Sequence, residues 1–172
     1  MPEPQWLDSR EARAWEALLW MTRAVELALD HQLQRDAGIP HTSYGILVAL
    51  SRRAGQTVPM GALAQMLGWS QSRLSHAVAR MEEAGWVRRV PSPTDKRSNL
   101  AQLTEAGREK LSQAAPGHVE AVRRLVIDAL RPEQLEALTE IGEAVVDRAA
   151  DLLGDTAPFK RLVDDRSPRP EH

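Results

Sequence analysis

The stretch at residues 60–97 constrains the fold more than any other part of the chain. It reads Met60-Gly-Ala-Leu-Ala-Gln-Met-Leu-Gly-Trp69, then Ser70-Gln-Ser-Arg-Leu-Ser-His-Ala-Val-Ala-Arg-Met-Glu-Glu-Ala-Gly85, then Trp86-Val-Arg-Arg-Val-Pro-Ser-Pro-Thr-Asp-Lys-Arg97. The first segment is a short apolar helix that Gly68 can close. Ser70 is a favourable N-cap for the next helix because its hydroxyl can accept a free backbone N–H. Gly85 suits the position just past that helix, where a left-handed backbone costs glycine little. Two short helices joined by a tight glycine turn predict a helix-turn-helix.

On a wheel of about 100° per residue, Leu74, Val78 and Met81 share one face of the second helix, with Ala77 beside them. That face must bury. Ser72, His76, Ala79 and Glu83 fall opposite, flanked by Arg73 and Arg80 on one side and Ser75 on the other. Hydroxyls, an imidazole and guanidinium groups around a small residue suit a helix that enters a major groove. They equally suit a solvated helix face. The next segment decides between these readings. Residues 87–90 and 99–103 are short and strand-like, and between them lies Pro91-Ser-Pro-Thr-Asp-Lys-Arg-Ser98, a turn-rich loop with two cations. This is a β-hairpin with a basic tip, a wing, placed directly after the candidate recognition helix.

These residues resemble the MarR-type (multiple antibiotic resistance regulator) winged helix-turn-helix family. The resemblance is carried by Leu63-Ala64, Leu67-Gly68, Ser70-Gln71-Ser72 and Glu82-Glu83-Ala84-Gly85-Trp86-Val87-Arg88-Arg89. Its most specific part is Asp95-Lys96-Arg97-Ser98 followed by Leu103-Thr104-Glu105-Ala106-Gly107. It runs from about Trp15 to about Ala150. Arg73 and His76 stand where the family varies, so no operator sequence carries over.

The resemblance implies a mainly α fold with a small β-hairpin wing, a winged helix-turn-helix core plus N- and C-terminal dimerisation helices. The expected organisation is a short N-terminus at 1–8, a winged domain at 9–154 and a mobile tail at 155–172. Within the domain, the DNA-binding core spans about 42–104, and the dimerisation helices span about 9–36 and 105–153. The implied function is a homodimeric, sequence-specific regulator on a pseudo-palindromic duplex operator, released by a small aromatic or phenolic effector. A winged-helix module that binds protein rather than DNA is the alternative. Ser70, Gln71, Ser72, Arg73, Ser75 and His76 are the candidates for base edges and nearby phosphates. Arg80, Arg88 and Arg89 are candidates for phosphate, and Lys96 and Arg97 for the wing contact, with Asp95 orienting Arg97.

The chain of 172 residues carries a net charge of −2. The charge is unevenly spread. Over residues 70–97, Arg73, Arg80, Arg88, Arg89, Lys96 and Arg97 stand against Glu82, Glu83 and Asp95, a net +3 that leaves −5 elsewhere. An acidic body with a basic edge orients the approach to a polyanion. There is no cysteine, which excludes disulfides, thiolate metal sites and a thiol sensor. No apolar run reaches the roughly 20 residues of a membrane span, and Met1-Pro-Glu-Pro lacks the basic start and apolar stretch of a signal peptide. The expected location is cytoplasmic.

Elsewhere, Asp8-Ser-Arg-Glu11 predicts a capping box and a long helix to about Arg35, ended by Gly38 and Pro40. Thr42 is the expected cap of a helix over 43–53 closed by Gly55, and Thr57-Val-Pro59 the expected third strand. Thr104 should cap the next helix. Pro116-Gly117 predicts a kink in it, because a proline inside a helix costs about 3 kcal/mol or more. Pro132 opens a last helix whose stripe is Leu135, Leu138, Ile141, Val145 and Val146, with Leu152 beyond. The first and last helices carry more apolar surface than a small winged core can cover, and a two-fold dimer supplies the missing partner.

No metalloprotease, phosphate-loop or nucleophile-elbow motif is present, so no enzyme and no cofactor is expected. His31, His41 and His118 could meet at a metal, but their spacing lacks the close pairs that zinc sites favour, and none is expected. Trp20, His41, Tyr44 and His118 are the candidates for the walls of an effector cleft, with Trp15 assigned to the core or interface.

Overall fold

The computed structural model describes residues 4–93 and 99–154. The element order is α1 (Ser9–Ala37), α2 (His41–Ser51), β1 (Thr57–Pro59), α3 (Met60–Leu67), α4 (Gln71–Glu83), β2 (Val87–Pro91), β3 (Asn99–Leu103), α5 (Glu105–Val122) and α6 (Pro132–Leu153). A single 3-10 turn at Ala54–Gln56 leads into β1, and a π-helical turn at Arg123–Ile127 ends α5. This is the mainly α fold with a winged sheet that the sequence predicts.

The capping box forms. Asp8 Oδ1 accepts from the backbone N–H groups of Arg10 (2.7 Å) and Glu11 (2.9 Å), while Glu11 Oε2 accepts from Asp8 N–H (2.8 Å). Gly38, with φ of 65°, closes α1. Only the C-terminal third of this helix is buried in the subunit, through Leu29, Gln32 and Leu33.

Two expectations about α2 are corrected. Thr42 does not cap it, and the helix starts earlier, at His41, with Pro40 in the cap position and no side-chain cap of its own. The free N–H of His41 is taken from outside, by Asp30 Oδ1 of α1 at 2.8 Å. A distant carboxylate thus does what a local hydroxyl was expected to do. Nor does Gly55 end the helix. The C-cap is Arg52, and Gly55 sits in the following 3-10 turn with φ of 68°.

β1, β3 and β2 lie side by side in that order, antiparallel throughout, with Val58 opposite Ala101 and Val87 opposite Leu103. These four residues are buried. They join Ile46, Leu47 and Leu50 of α2, Leu63 of α3, and Leu74, Val78 and Met81 of α4 in one core, to which α1 adds Leu33 and α5 adds Ala114. The hairpin tip, residues 94–98, lies outside the described residues. The candidates Asp95, Lys96 and Arg97 lie there, as does the expected tail at 155–172.

The Leu103-Thr104-Glu105-Ala106-Gly107 motif has a steric explanation. Thr104 Oγ1 accepts from Gly107 N–H at 3.0 Å and lies within donor reach of the carbonyls of Gly85 (2.7 Å) and Trp86 (3.0 Å). The first turn of α5 is thereby drawn onto the strand, and a Cβ at residue 107 would meet the Trp86 carbonyl oxygen at 2.1 Å. Only glycine fits.

Pro116 does not interrupt the helix: α5 runs continuously through it from Glu105 to Val122. Ser112, whose carbonyl loses its helical donor to the proline ring, is exposed, as is Pro116 itself. Water can satisfy that carbonyl, so the proline is tolerated on the solvent side. The helix becomes irregular later, at Arg123–Ile127, where Asp128 N–H bonds to the Arg123 carbonyl at 2.8 Å.

No residue of α6 is buried within the subunit. Ile141 is 57% exposed, Val145 50% and Leu152 74%, and Trp15, Leu19 and Leu27 on α1 are exposed as well. Among the described residues, no helix is long and apolar enough to cross a membrane.

Candidate nucleic-acid interface

The core fixes which way α4 faces. Leu74, Ala77, Val78 and Met81 are buried, and Gln71, Ser72, Arg73, Ser75, His76 and Arg80 are exposed. Ala79 departs from the helical wheel by being only half-exposed. Ser70 caps the helix as expected, its hydroxyl accepting from Arg73 N–H at 3.2 Å. The Arg73 guanidinium lies over the Trp69 ring, 4.5 Å from its centroid. Trp69 was not among the sequence candidates, although an aromatic residue four positions before an arginine across a helix start was a readable signal. The stacking orients Arg73 and supplies a modest attraction.

The two wing arginines separate. Successive side chains of a strand point to opposite faces, so Arg88 and Arg89 diverge. Arg88 Nε donates to Gln102 Oε1 of β3 at 2.7 Å, on the sheet face that turns away from α4. Arg89 turns toward α4. Its backbone N–H donates to Glu82 Oε1 (2.8 Å), its Nη1 lies 3.4 Å from Glu82 Oε2, and its Nη2 donates to the Ser75 carbonyl oxygen (2.8 Å) and reaches Ser75 Oγ (3.3 Å). Beside this pair, Gln71, Ser72, Ser75, Arg89 and Asn99 line an open hollow of about 530 Å³ between the helix and the wing strands. The result is a polar, donor-rich ledge with the recognition helix on one side and the hairpin on the other.

The effector candidates are only partly brought together. The His118 ring lies 4.3 Å from Tyr44 and 5.6 Å from His41, centroid to centroid. His118 Nδ1 is buried and has no hydrogen-bond partner among the described residues. Burial, and next the nearby His41, push the His118 pKa below its usual value, and burial pushes Tyr44 up. Trp20 does not join them and is 72% exposed. His41 instead borders an apolar cavity of about 480 Å³, lined among others by Met21, Val25, Leu125, Val126 and Leu138. The sequence reading missed the contribution of Leu125 and Val126, whose signal was an apolar run in a segment taken as ordinary helix. His41 and His118 approach each other, but among the described residues no group of three or more metal-binding side chains forms.

Comparison with known proteins identifies the family and the fold. The MarR family profile matches residues 37–98. The structure of Sco3205, a MarR family transcriptional regulator from Streptomyces coelicolor solved in complex with DNA, is 44% identical. The match covers 91% of this chain and 98% of that one, with a TM-score of 0.84. AbsC, a MarR family transcriptional regulator of the same organism, is 39% identical over 84% of this chain and 97% of its own, with a TM-score of 0.79. The transcriptional repressor MprA of Escherichia coli is 26% identical, and the chain spans 63% of that repressor's length.

Proposed function

The chain belongs to the MarR family of transcriptional regulators, and from that premise we propose that it acts as a homodimer on a pseudo-palindromic duplex operator from which a small aromatic or phenolic effector releases it. Members of this family are DNA-binding regulators, not enzymes. The carrying observation is the α4 face: a core-anchored helix with six exposed polar residues from Gln71 to Arg80, next to a basic hairpin.

In this reading Ser72, Arg73, Ser75 and His76 meet base edges and adjacent phosphates, with Ser70 and Gln71 at the helix start, while Arg80 and Arg88 meet phosphate. Lys96 and Arg97 enter the neighbouring minor groove with Asp95 orienting Arg97. Residues 42–104 form the DNA-binding core, and 9–36 and 105–153 form the dimerisation helices. The exposed apolar residues of α1 and α6 support the dimer, since a second copy gives them a partner. Two such subunits set their recognition helices about one DNA turn apart.

The apolar cavity beside His41 supports an effector of low polarity. Release follows if the effector binds the DNA-incompetent arrangement more tightly than the competent one.

The test is selection of duplexes from a random library, followed by binding to the enriched duplex across a salt series. A winning sequence with inverted half-sites, and affinity that falls steeply with salt through counterion release, is the expected outcome. Failure to enrich any sequence would refute the operator reading.

A further inference from the structure

We propose that Arg89 is a positioning residue that locks the recognition helix to the wing and orients the Ser75 hydroxyl, rather than a phosphate contact. The inference rests on the reading of α4 as the groove-entering helix.

The guanidinium and the backbone N–H of Arg89 together hold Glu82 and Ser75, residues about two turns apart on α4. A single strand residue that grips the helix at both points fixes its rotation as well as its tilt against β2. The planar fork of arginine allows this, and the compact ammonium of lysine does not. The bond to the Ser75 carbonyl uses that oxygen's second lone pair, since the first belongs to the helix. The Glu82 carboxylate compensates the Arg89 charge at close range, which leaves little of it for a DNA phosphate.

The consequence for recognition follows from hydrogen-bond polarity. Ser75 Oγ, facing Arg89 Nη2 at 3.3 Å, accepts. A guanidinium has no lone pair to receive a proton, so the hydroxyl hydrogen turns away from Arg89. Ser75 thus presents a donor to the groove. Guanine O6 and N7, adenine N7 and thymine O4 are acceptors there, whereas the cytosine edge offers the N4 amino donor. The Ser75 hydrogen therefore favours the acceptor edges of guanine, adenine and thymine, while the oxygen's second lone pair stays open to the cytosine amino group, so the preference is graded rather than absolute.

The experiment uses the full chain, a duplex enriched from a random library by the wild-type protein, and an unrelated duplex of equal length. Binding is measured by anisotropy at several salt concentrations for Arg89→Lys, Arg89→Ala, Ser75→Ala and the Arg89→Lys/Ser75→Ala double variant. If Arg89 positions, Arg89→Lys keeps the charge yet loses fivefold or more on the enriched duplex and little on the unrelated one. The salt slope stays at the wild-type value in both Arg89 variants. Ser75→Ala relaxes preference at one base pair when selection is repeated, and its effect shrinks in the double variant. A phosphate contact gives the opposite pattern. Arg89→Lys then binds like wild type, and Arg89→Ala weakens both duplexes alike with a slope lower by about one. That pattern, or full additivity in the double variant, overturns the proposal. If the Arg89 variants lose helicity, Ser75→Ala alone decides: weakening of both duplexes alike, with no base pair relaxed on repeated selection, overturns the proposal. Failure to enrich any duplex with wild-type protein would instead refute the operator reading.

Discussion

Among the glycines of the described residues, Gly107 is the one at which an added methyl group meets the closest obstruction. The new methyl would stand 2.1 Å from the Trp86 carbonyl oxygen, 2.8 Å from Leu103 Cδ1 and 3.0 Å from the Trp86 carbonyl carbon. The Leu103 side chain can swing aside. The Trp86 carbonyl cannot move freely, because it accepts Thr104 N–H at 3.1 Å and lies 3.0 Å from Thr104 Oγ1. Reaching an ordinary contact of 3.4 Å or more requires a shift of over about 1 Å, which spends those interactions. Two hydrogen bonds at about 1 kcal/mol each, plus about 1–3 kcal/mol for overpacking, are offset by about 1 kcal/mol of better helix propensity for alanine. The net loss is about 2–4 kcal/mol. Urea unfolding followed by circular dichroism, at one fixed protein concentration because association contributes, gives the value from the midpoint shift. Gly142 in α6 is the control: a Cβ there meets nothing within 4 Å in the subunit, and alanine should stabilise by up to about 1 kcal/mol. Stability of Gly107→Ala within about 0.5 kcal/mol of wild type would refute the steric reasoning. Destabilisation by Gly142→Ala would mean that another helix crosses closely at that point.

Sedimentation at micromolar concentration should return twice the 19.1 kDa chain mass, and a monomer would remove the dimer from the mechanism. His76→Ala should weaken binding to a selected duplex by about 1–3 kcal/mol if the imidazole reads a base, with equal loss on an unrelated duplex pointing to phosphate. Arg97→Ala should lower the salt slope by about one while leaving helicity intact, and an unchanged affinity would take the wing tip out of the interface. His118, with its folded pKa depressed chiefly by burial, contributes stability that is complete above about pH 6.5 and is lost as pH falls through that value toward the folded pKa. Comparing thermal midpoints of wild type and His118→Gln between about pH 7 and pH 5 should show the steeper acid loss in wild type. Parallel curves would mean that His118 titrates as it does in the unfolded chain.

Features set by short-range chemistry were readable in advance. The Asp8 box, the Ser70 and Thr104 caps, the Gly68 closure and the buried stripe of α4 each depend on residues within about one helical turn. The strand pairing followed from period and turn residues. The misses share a cause. Asp30 caps α2 from eleven residues away, and α5 stays continuous through Pro116, with that side of the helix facing water, and ends at Val122 instead of running on to about Leu130. Neither fact exists until helices have been packed. The candidate site divides in the same way. Which α4 side chains face outward was legible, but Arg88 and Arg89 were grouped together as phosphate candidates although strand alternation separates them. That Gln102 receives one, that Glu82 and Ser75 receive the other, and that Trp20 stands apart from His41, Tyr44 and His118 required the three-dimensional fold. Asp95, Lys96 and Arg97 lie outside the described residues, so their roles rest on the sequence motif.

The pairing of α1 with α5 sets an order of events at the ribosome. Recognition helix and wing strand are joined by contacts close in sequence, such as Glu82 with Arg89, and even the longer pairing of β1 with β3 is complete before α5 is made. The first helix to be made is in a different position. Gln32 of α1 lies against Gly117 of α5, where a Cβ would come within 3.3 Å of the Gln32 amide, so that seat exists only after some eighty further residues have been synthesised. At about 5–20 residues per second, α1 waits for several seconds for that seat, with α2, tied to it through Asp30 and His41, as its earlier neighbour. The reading head is therefore folded before the arm that will carry it has found its place, and chaperones have a window in which the N-terminal helix is the part of the nascent chain to hold.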